Sequence, residues 1–529
     1  MAKETPAQRI QRIKTEKSGL DVLADIKRYA ADDSIELDPE DIDRFKWYGL
    51  YSQNKSLQPE GDDSLYFMLR VKLEKGAMNL EQLKEVAKIS HEHATKNATF
   101  TTRQDLQFHN IQVRNLPEIF DRLNAVGLST VFAAGDVPRN VLTCPVMGVD
   151  HTEITDVTDT VQEVYDFLGG NKDLVNLPRK FKVGISACSK HCMGHEIQDV
   201  SFTAVEFENE ILFDLSVGGG LASNKQIAQH IGYVKEEQIL DVVKVVAYTF
   251  RDHGLREKRN KARLGHLIAE WGIEKFTEYV QSKLDFKILP KQDQVYTTYA
   301  KREHFGIHPS KEENTSYIGC AVTSGKIGAD GLDKLVATLE KFGASKINAT
   351  VTQNFIIADA PTQNAQAIVD ELETYGIDAN PSPFKSRTLS CTGLDFCKFA
   401  VSETKAQSAD LISFLEKRFP DFKEPLSVSF NGCTNTCAQA HIVNIGFVGT
   451  KVKDEEGNNI LGFTIILGGN LEGNQSVFGE KTKIKIRPNQ INGVVEKIIV
   501  AYENSNHTVL HDFMREIAVD TEFYESLVD

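Results

Sequence analysis

The chain has 529 residues, of which 41% are hydrophobic and 26% charged, with a formal net charge of -15. That length exceeds what one hydrophobic core holds, so roughly three or four domains are expected, and the composition excludes a disordered or membrane-embedded polypeptide. The acidic balance argues against a general nucleic-acid partner, because phosphate backbones need a positive face.

The first stretch, MAKETPAQRIQRIKTEKSG, is polar and charged and has no apolar segment of signal-peptide type. No apolar run approaches the ~20 residues needed to span a bilayer, so a cytoplasmic protein without membrane contact is expected. Residues 1–59 read as an N-terminal segment that wraps the surface or is partly disordered. Strand-like LYFMLRVKL (65–73) then precedes an amphipathic helix, NLEQLKEVAKISHEHAT (79–95), and NATFTTRQDLQFHNI (97–111). HEHAT misses the H-E-x-x-H zinc spacing and reads as a helix-surface pair.

This order recurs. SYIGCAVTSG (316–325), GADGLDKLVATLEKFG (328–343) and INATVTQNFIIADA (347–360) follow the same strand–helix–strand course. Thr101 and Thr350, Gln104 and Gln353, Asp121 and Asp370, and Gly127 and Gly376 all share an offset of 249. The pattern predicts a ferredoxin-like half-domain present twice, at 60–128 and 311–380. The repeat continues into two larger segments, 129–310 and 381–529. There VGISACSKHCMGHEIQDVSF matches VSFNGCTNTCAQAHIVNIGF, setting Cys188 on Cys433 and Cys192 on Cys437, and FDLSVGGGLASN resembles FTIILGGNLEGN. The fold class is therefore α+β with pseudo-twofold tandem duplication.

Eight cysteines in a reducing compartment call for metal binding, catalysis or burial rather than disulfides. CTGLDFC (391–397) and NGCTNTC (431–437) both depart from the two-residue zinc knuckle, whereas iron-sulfur clusters accept varied spacings. A 4Fe-4S site on Cys391, Cys397, Cys433 and Cys437 is the better reading, and four buried structural thiols the alternative. The first half keeps Cys144, Cys188 and Cys192 but has Asp150 where the fourth thiol would fall. A relic with packed thiols is expected there, a three-thiol and carboxylate cluster site being the other option. Cys320, without a partner at metal spacing, reads as core.

Cationic positions concentrate in the first half: Arg70, Arg103 (Thr352 in the second half), Arg139, Lys180 and Lys182. Singly, each reads as a surface residue. Lys180 and Lys182 are two apart in a β-rich segment and so share a face, which suits an anion. The run RDHGLREKRNKARLGH (251–266) reads either as internal ion pairs or a solvated face, or as a docking patch for an acidic electron carrier. No G-x-G-x-x-G follows a strand, so electrons must come from another protein. His109 and His441, beside these motifs, read as polar pocket contacts.

Together CTGLDFC, NGCTNTC, TTRQDLQFH, DVPRN and LPRKFK closely resemble the sirohaem- and 4Fe-4S-containing assimilatory sulfite and nitrite reductases, particularly the single-chain ferredoxin-dependent type. The resemblance runs from about residue 45 to the C-terminus. It implies a sirohaem, a 4Fe-4S cluster on Cys391, Cys397, Cys433 and Cys437, and Cys437 as the thiolate shared with the sirohaem iron. It further implies an anion site of Arg70, Arg139, Lys180 and Lys182, macrocycle contacts from Thr101, Arg103 and Gln107, and ferredoxin or a similar low-potential carrier as donor. The implied reaction is six-electron reduction of a small inorganic anion. LPRK-x-K resembles the sulfite reductases, nitrite reductases commonly having Asn at the second position, so Lys182 favours sulfite over nitrite. An electron-transfer iron-sulfur protein without substrate chemistry is the remaining alternative.

Overall fold

The computed structural model describes residues 4–528 apart from 33, 56–57, 59–60, 63, 189–191, 208, 291–303 and 473–475. The expected boundary at residue 59 and part of the GGNLEGN turn lie outside the described residues.

The two half-domains form a pair of five-stranded sheets that exchange strands. Tyr66–Val71, Leu106–Gln112 and Asn97–Phe100 pair antiparallel in one, and Thr315–Cys320, Phe355–Pro361 and Lys346–Ala349 in the other. Each sheet is completed by a three-residue strand from the opposite half: Ala77–Asn79 pairs with Lys346–Ala349, and Lys326–Gly328 with Asn97–Phe100. The exchange explains why both halves share one continuous core, in which the Phe100 and Phe355 rings stand 5.8 Å apart. Both rings are fully buried, and such burial contributes roughly 1.5–3 kcal/mol each. At the crossing point Gly325, with φ +68°, brings its backbone so close to Gln353 and the Phe100 carbonyl that a Cβ would lie 2.8 and 2.9 Å from them. Only glycine takes that conformation and that approach cheaply.

The N-terminal segment is not a loose wrap. Pro6–Glu16, Val22–Ala31 and Pro39–Arg44 are helices. Val22, Ile26, Tyr29, Phe45 and Trp47 join the half-domain core, which is why a stretch that looks polar overall is ordered: its apolar residues fall on one face.

The two larger lobes repeat one topology. In the first, Val183–Ser186 runs parallel to Val200–Phe207, followed by antiparallel Glu210–Val217 and Gln229–Val234. In the second, Thr388–Ser390, Val428–Asn431 and Ile445–Lys453 are parallel neighbours, and Asn459–Leu467 and Glu480–Ile486 complete the sheet. Parallel neighbours need a crossover of about a dozen residues. Here that crossover is the cysteine loop, 187–199 in one lobe and 432–444 in the other, so the topology puts each cysteine pair at the same end of its sheet. Helices Thr158–Leu168 and Ile239–His253 cover the first sheet, and Lys405–Arg418 and Ile491–Glu503 the second. No described helix is long and apolar enough to cross a membrane.

Candidate active site

A cavity of about 800 Å³ opens where the half-domain pair meets both lobes. Arg70, Arg139, Lys180, Thr101 and Gln107 line it together with Cys391, Cys397, Cys433 and Cys437. Arg103 and Lys182 are not among the lining residues.

The sheet register sets the first cation. Arg70 lies opposite Gln107 and donates from Nη2 to its Oε1 at 3.4 Å, while Nη1 donates to the Ala133 carbonyl at 3.3 Å. Arg139 uses the same carbonyl, at 2.9 Å, and that of Gly135, at 2.8 Å. Two guanidinium groups are thus held from behind by backbone oxygen. Arg103 donates to Gln198 Oε1 at 3.1 Å and to the Asn140 carbonyl. Thr101 Oγ1 accepts from the backbone N–H groups of Arg103 and Asp105, both at 3.2 Å, which fixes the turn that carries Arg103.

Gln107 ties Arg70 to the cysteine segment, donating from Nε2 to Thr392 Oγ1 at 3.1 Å. Cys391 directly follows Thr388–Ser390, and its Sγ accepts from the Gly432 N–H at 3.2 Å. Thr102 donates to the Cys437 carbonyl at 3.3 Å. Cys437 is exposed, and its charge acts on each of the other three thiols. Burial, reinforced by Cys437, pushes the Cys391 thiol up to about 12, so that sulphur is a thiolate only when a cation shares the site.

Positive charge is crowded around the cavity and only partly offset by the buried carboxylates of Asp105 and Asp199. Burial, with Arg263 and Arg139 adding to it, drives Lys180 down to about 7, while Cys437 works in the opposite sense. Lys182 is pushed well below its ordinary value by burial, Arg103 and Lys180. Nε of Arg70, Arg103 and Arg139 and both ring nitrogens of His109 have no partner among the described residues. Buried cations crowded in this way fit a polyanionic ligand, and a carboxylate-rich macrocycle beside an inorganic oxyanion supplies that charge. The four thiols fit the cluster. The residues present therefore suit both groups.

Tyr51, on the short strand Leu50–Ser52, is a lining residue outside every quoted motif. Burial raises its phenol, but Arg139, Arg70 and Lys180 outweigh burial and bring it down to about 7. His109 lines the cavity, stacks on Phe396 at 4.4 Å and is held neutral by burial, down to about 3. His441 is not among the lining residues. The basic run turns inward: Arg256 bonds Gln11 and Asn176, Arg259 forms a double hydrogen bond to Asp136 at 2.8 and 2.9 Å, and Arg263 pairs with Asp199 at 2.7 Å. Arg259 and Arg263 serve internal ion pairing and Arg256 binds neutral oxygens, whereas Lys258 and Lys261 of the same run are exposed. His91 and His93 of HEHAT pair with Asp333 and Glu118 on the surface. Cys320 is core.

Two duplicated lobes closing a cation-lined cavity over four thiols define a redox enzyme for a small anion. The chain belongs to the nitrite and sulphite reductase family: the 4Fe-4S domain of that family matches residues 134–288 and 383–525, and its ferredoxin-like half domain matches 58–126 and 308–375. It is 33% identical to a sulfite reductase (ferredoxin) of Mycobacterium tuberculosis, over 93% of this chain and 92% of that one. It is 29% identical to the ferredoxin–nitrite reductase of Synechococcus elongatus, over 93% and 96%. The solved structure of the Mycobacterium tuberculosis NirA protein superposes with a TM-score of 0.90 at 32% identity, covering 97% of this chain and 96% of that one.

Proposed function

We propose that this chain reduces sulfite to sulfide by six electrons delivered from ferredoxin or a similar low-potential carrier protein. The observation that carries the reading is Lys180, which stands in the field of Arg139 and Arg263 and also of Cys437, so that the anion-binding charge and the thiolate ligand face one cavity. Cys391, Cys397, Cys433 and Cys437 would hold the 4Fe-4S cluster, with Cys437 shared with the sirohaem. Once bound, the coupled pair supplies low-potential electrons at the anion site.

The chain's own residues do the rest. Arg103, braced by Gln198 and the turn at Thr101, and Gln107 would grip the carboxylate-bearing macrocycle, a task for fixed, charge-assisted donors. Arg70 and Arg139, held in place by the Ala133 carbonyl, need no reorganisation to meet charge building on the oxyanion. Lys180 and Tyr51, both brought near neutrality, can pass protons to departing oxygen. Lys182, near Lys180 in the LPRKFK motif that resembles the sulfite reductases, adds basic character behind the cavity wall and favours sulfite. The similarity to the Synechococcus elongatus enzyme favours nitrite, reduced to ammonia in the same cavity, as a second reading. The division into 1–59, 60–128, 129–310, 311–380 and 381–529 is supported by the matched family segments.

The test is anaerobic turnover of the cofactor-replete enzyme with a reduced viologen dye, comparing kcat/KM for sulfite and nitrite. A preference for sulfite that Lys182→Asn abolishes is expected. A preference for nitrite, unchanged in that variant, would move the assignment to nitrite.

A further inference from the structure

Cys144, Cys188 and Cys192 are not among the residues lining the cavity. They are buried, at 4, 4 and 2% exposure, and their sulphurs lie within 4.8 Å of one another. His304, also buried, brings Nε2 to 3.4 Å from Cys192 Sγ. Zinc–sulphur bonds of about 2.3 Å and zinc–nitrogen bonds of about 2.0–2.1 Å, set tetrahedrally, place thiolate sulphurs about 3.8 Å apart and sulphur and nitrogen about 3.5 Å apart. The three sulphurs fall within the compass of one ion, and His304 reaches the group at Cys192. A cubane would hold its thiolates farther apart, because each binds a different iron.

Asp150, the residue the duplication puts in place of the fourth thiol, stands one step further out. Its Oδ2 lies 3.5 Å from His304 Nδ1 and accepts from Tyr317 Oη at 3.0 Å, and its Oδ1 accepts from the Thr152 N–H at 2.7 Å. A carboxylate on Nδ1 fixes the tautomer whose Nε2 lone pair points toward the thiols, the arrangement usual behind a metal-bound histidine. The three thiols come from the first lobe, whereas His304 stands two residues before Gly306–Pro309, the edge strand of the second half-domain sheet.

We propose that Cys144, Cys188, Cys192 and His304 form a structural zinc site, oriented by Asp150, that clips the first lobe to the second half-domain. All four positions are protein ligands and all are buried, as in a closed structural site rather than a catalytic one. The proposal is independent of which anion the cavity reduces. The duplicated position that holds an iron-sulfur cluster in the second lobe holds a single ion in the first.

The test is metal analysis of holoenzyme purified from zinc-supplemented cells, with X-ray absorption at the zinc edge. One zinc per chain beyond the iron, in a shell of three sulphurs and one nitrogen, is expected. Cys188→Ser is expected to lose the zinc while the visible spectrum of the cofactors persists. Should that variant not fold, Asp150→Asn serves instead, and a chelator is expected to strip its zinc at about 10–100-fold lower concentration than from the parent. Zinc well below one per chain, zinc retained by Cys188→Ser, or unchanged chelator resistance in Asp150→Asn would each overturn the proposal.

Discussion

Gln353 donates a hydrogen bond from Nε2 to the carbonyl of Phe100, 3.1 Å away in the other half of the duplication. Its counterpart Gln104 donates to Ala349 at 2.9 Å. Both glutamines are buried and left-handed, with φ of +63° and +53°, a conformation uncommon for residues with a Cβ. Their Oε1 atoms accept from the N–H groups of Ser390, at 2.9 Å, and Thr143, at 3.0 Å, the residues just before Cys391 and Cys144. Each glutamine therefore joins the strand exchange to the start of a cysteine segment.

Gln353→Ala removes both bonds and leaves a buried N–H and a buried carbonyl unmet, at a cost of about 2–5 kcal/mol. Because Ser390 precedes Cys391, the same variant is expected to bind less iron. Denaturant unfolding and iron content measured together check this. An unchanged midpoint with full iron would show that the pair does not support the cluster loop.

Tyr51 and Lys180, both brought to about 7, lose their protons over the same pH range. Below it the phenol and the ammonium can donate, and above it neither can, so kcat/KM should fall as pH rises through about 7. Tyr51→Phe is expected to lower kcat by about 10²-fold or more, within the range of general acid catalysis. As the two groups titrate together, each single variant keeps part of the alkaline limb. The double variant Tyr51→Phe with Lys180→Arg should lose the limb, and its survival there would assign the proton donor elsewhere.

Arg139→Gln extends the argument. Arg139 lowers both Tyr51 and Lys180, so removing its charge should move the alkaline limb to higher pH. It should also cost on the order of 10²–10³ in kcat/KM, if the guanidinium meets charge on the anion. A rate loss without movement of the limb would separate anion binding from proton supply.

The duplication was legible because offsets are preserved in sequence, and it foretold the paired sheets and the matching cysteine loops. The four-thiol motif and the Lys180 alternation likewise depend on local spacing. What local pattern could not show are relations between distant segments. The exchanged strands Ala77–Asn79 and Lys326–Gly328 are three residues long, too short for any periodicity. Tyr51 enters the cavity from a three-residue strand, and His304 meets Cys192 across 112 residues of chain. The basic run resisted reading for the same reason: its carboxylate partners, Asp136 and Asp199, lie far upstream.

Asp136 supplies the last expectation. Its buried carboxylate meets Lys14 at 3.4 Å, Arg179 at 3.2 Å and Arg259 at 2.8 Å, joining the N-terminal helix Pro6–Glu16 to the first lobe. Burial opposes its ionisation, yet the three cations outweigh burial and hold it well below the usual carboxylate range. The sign follows: a depressed carboxylate stabilises the fold fully above its unfolded value of about 3.9 and loses that contribution as pH falls below it. Asp136→Asn leaves the buried Lys14 and the half-buried Arg259 without their counter-charge, a change that costs about 3–5 kcal/mol when a buried pair is broken. The N-terminal helix should then become sensitive to limited proteolysis at neutral pH, where the parent resists. Equal resistance in the two proteins would mean that the apolar contacts of residues 22–48 anchor this segment without the ion cluster.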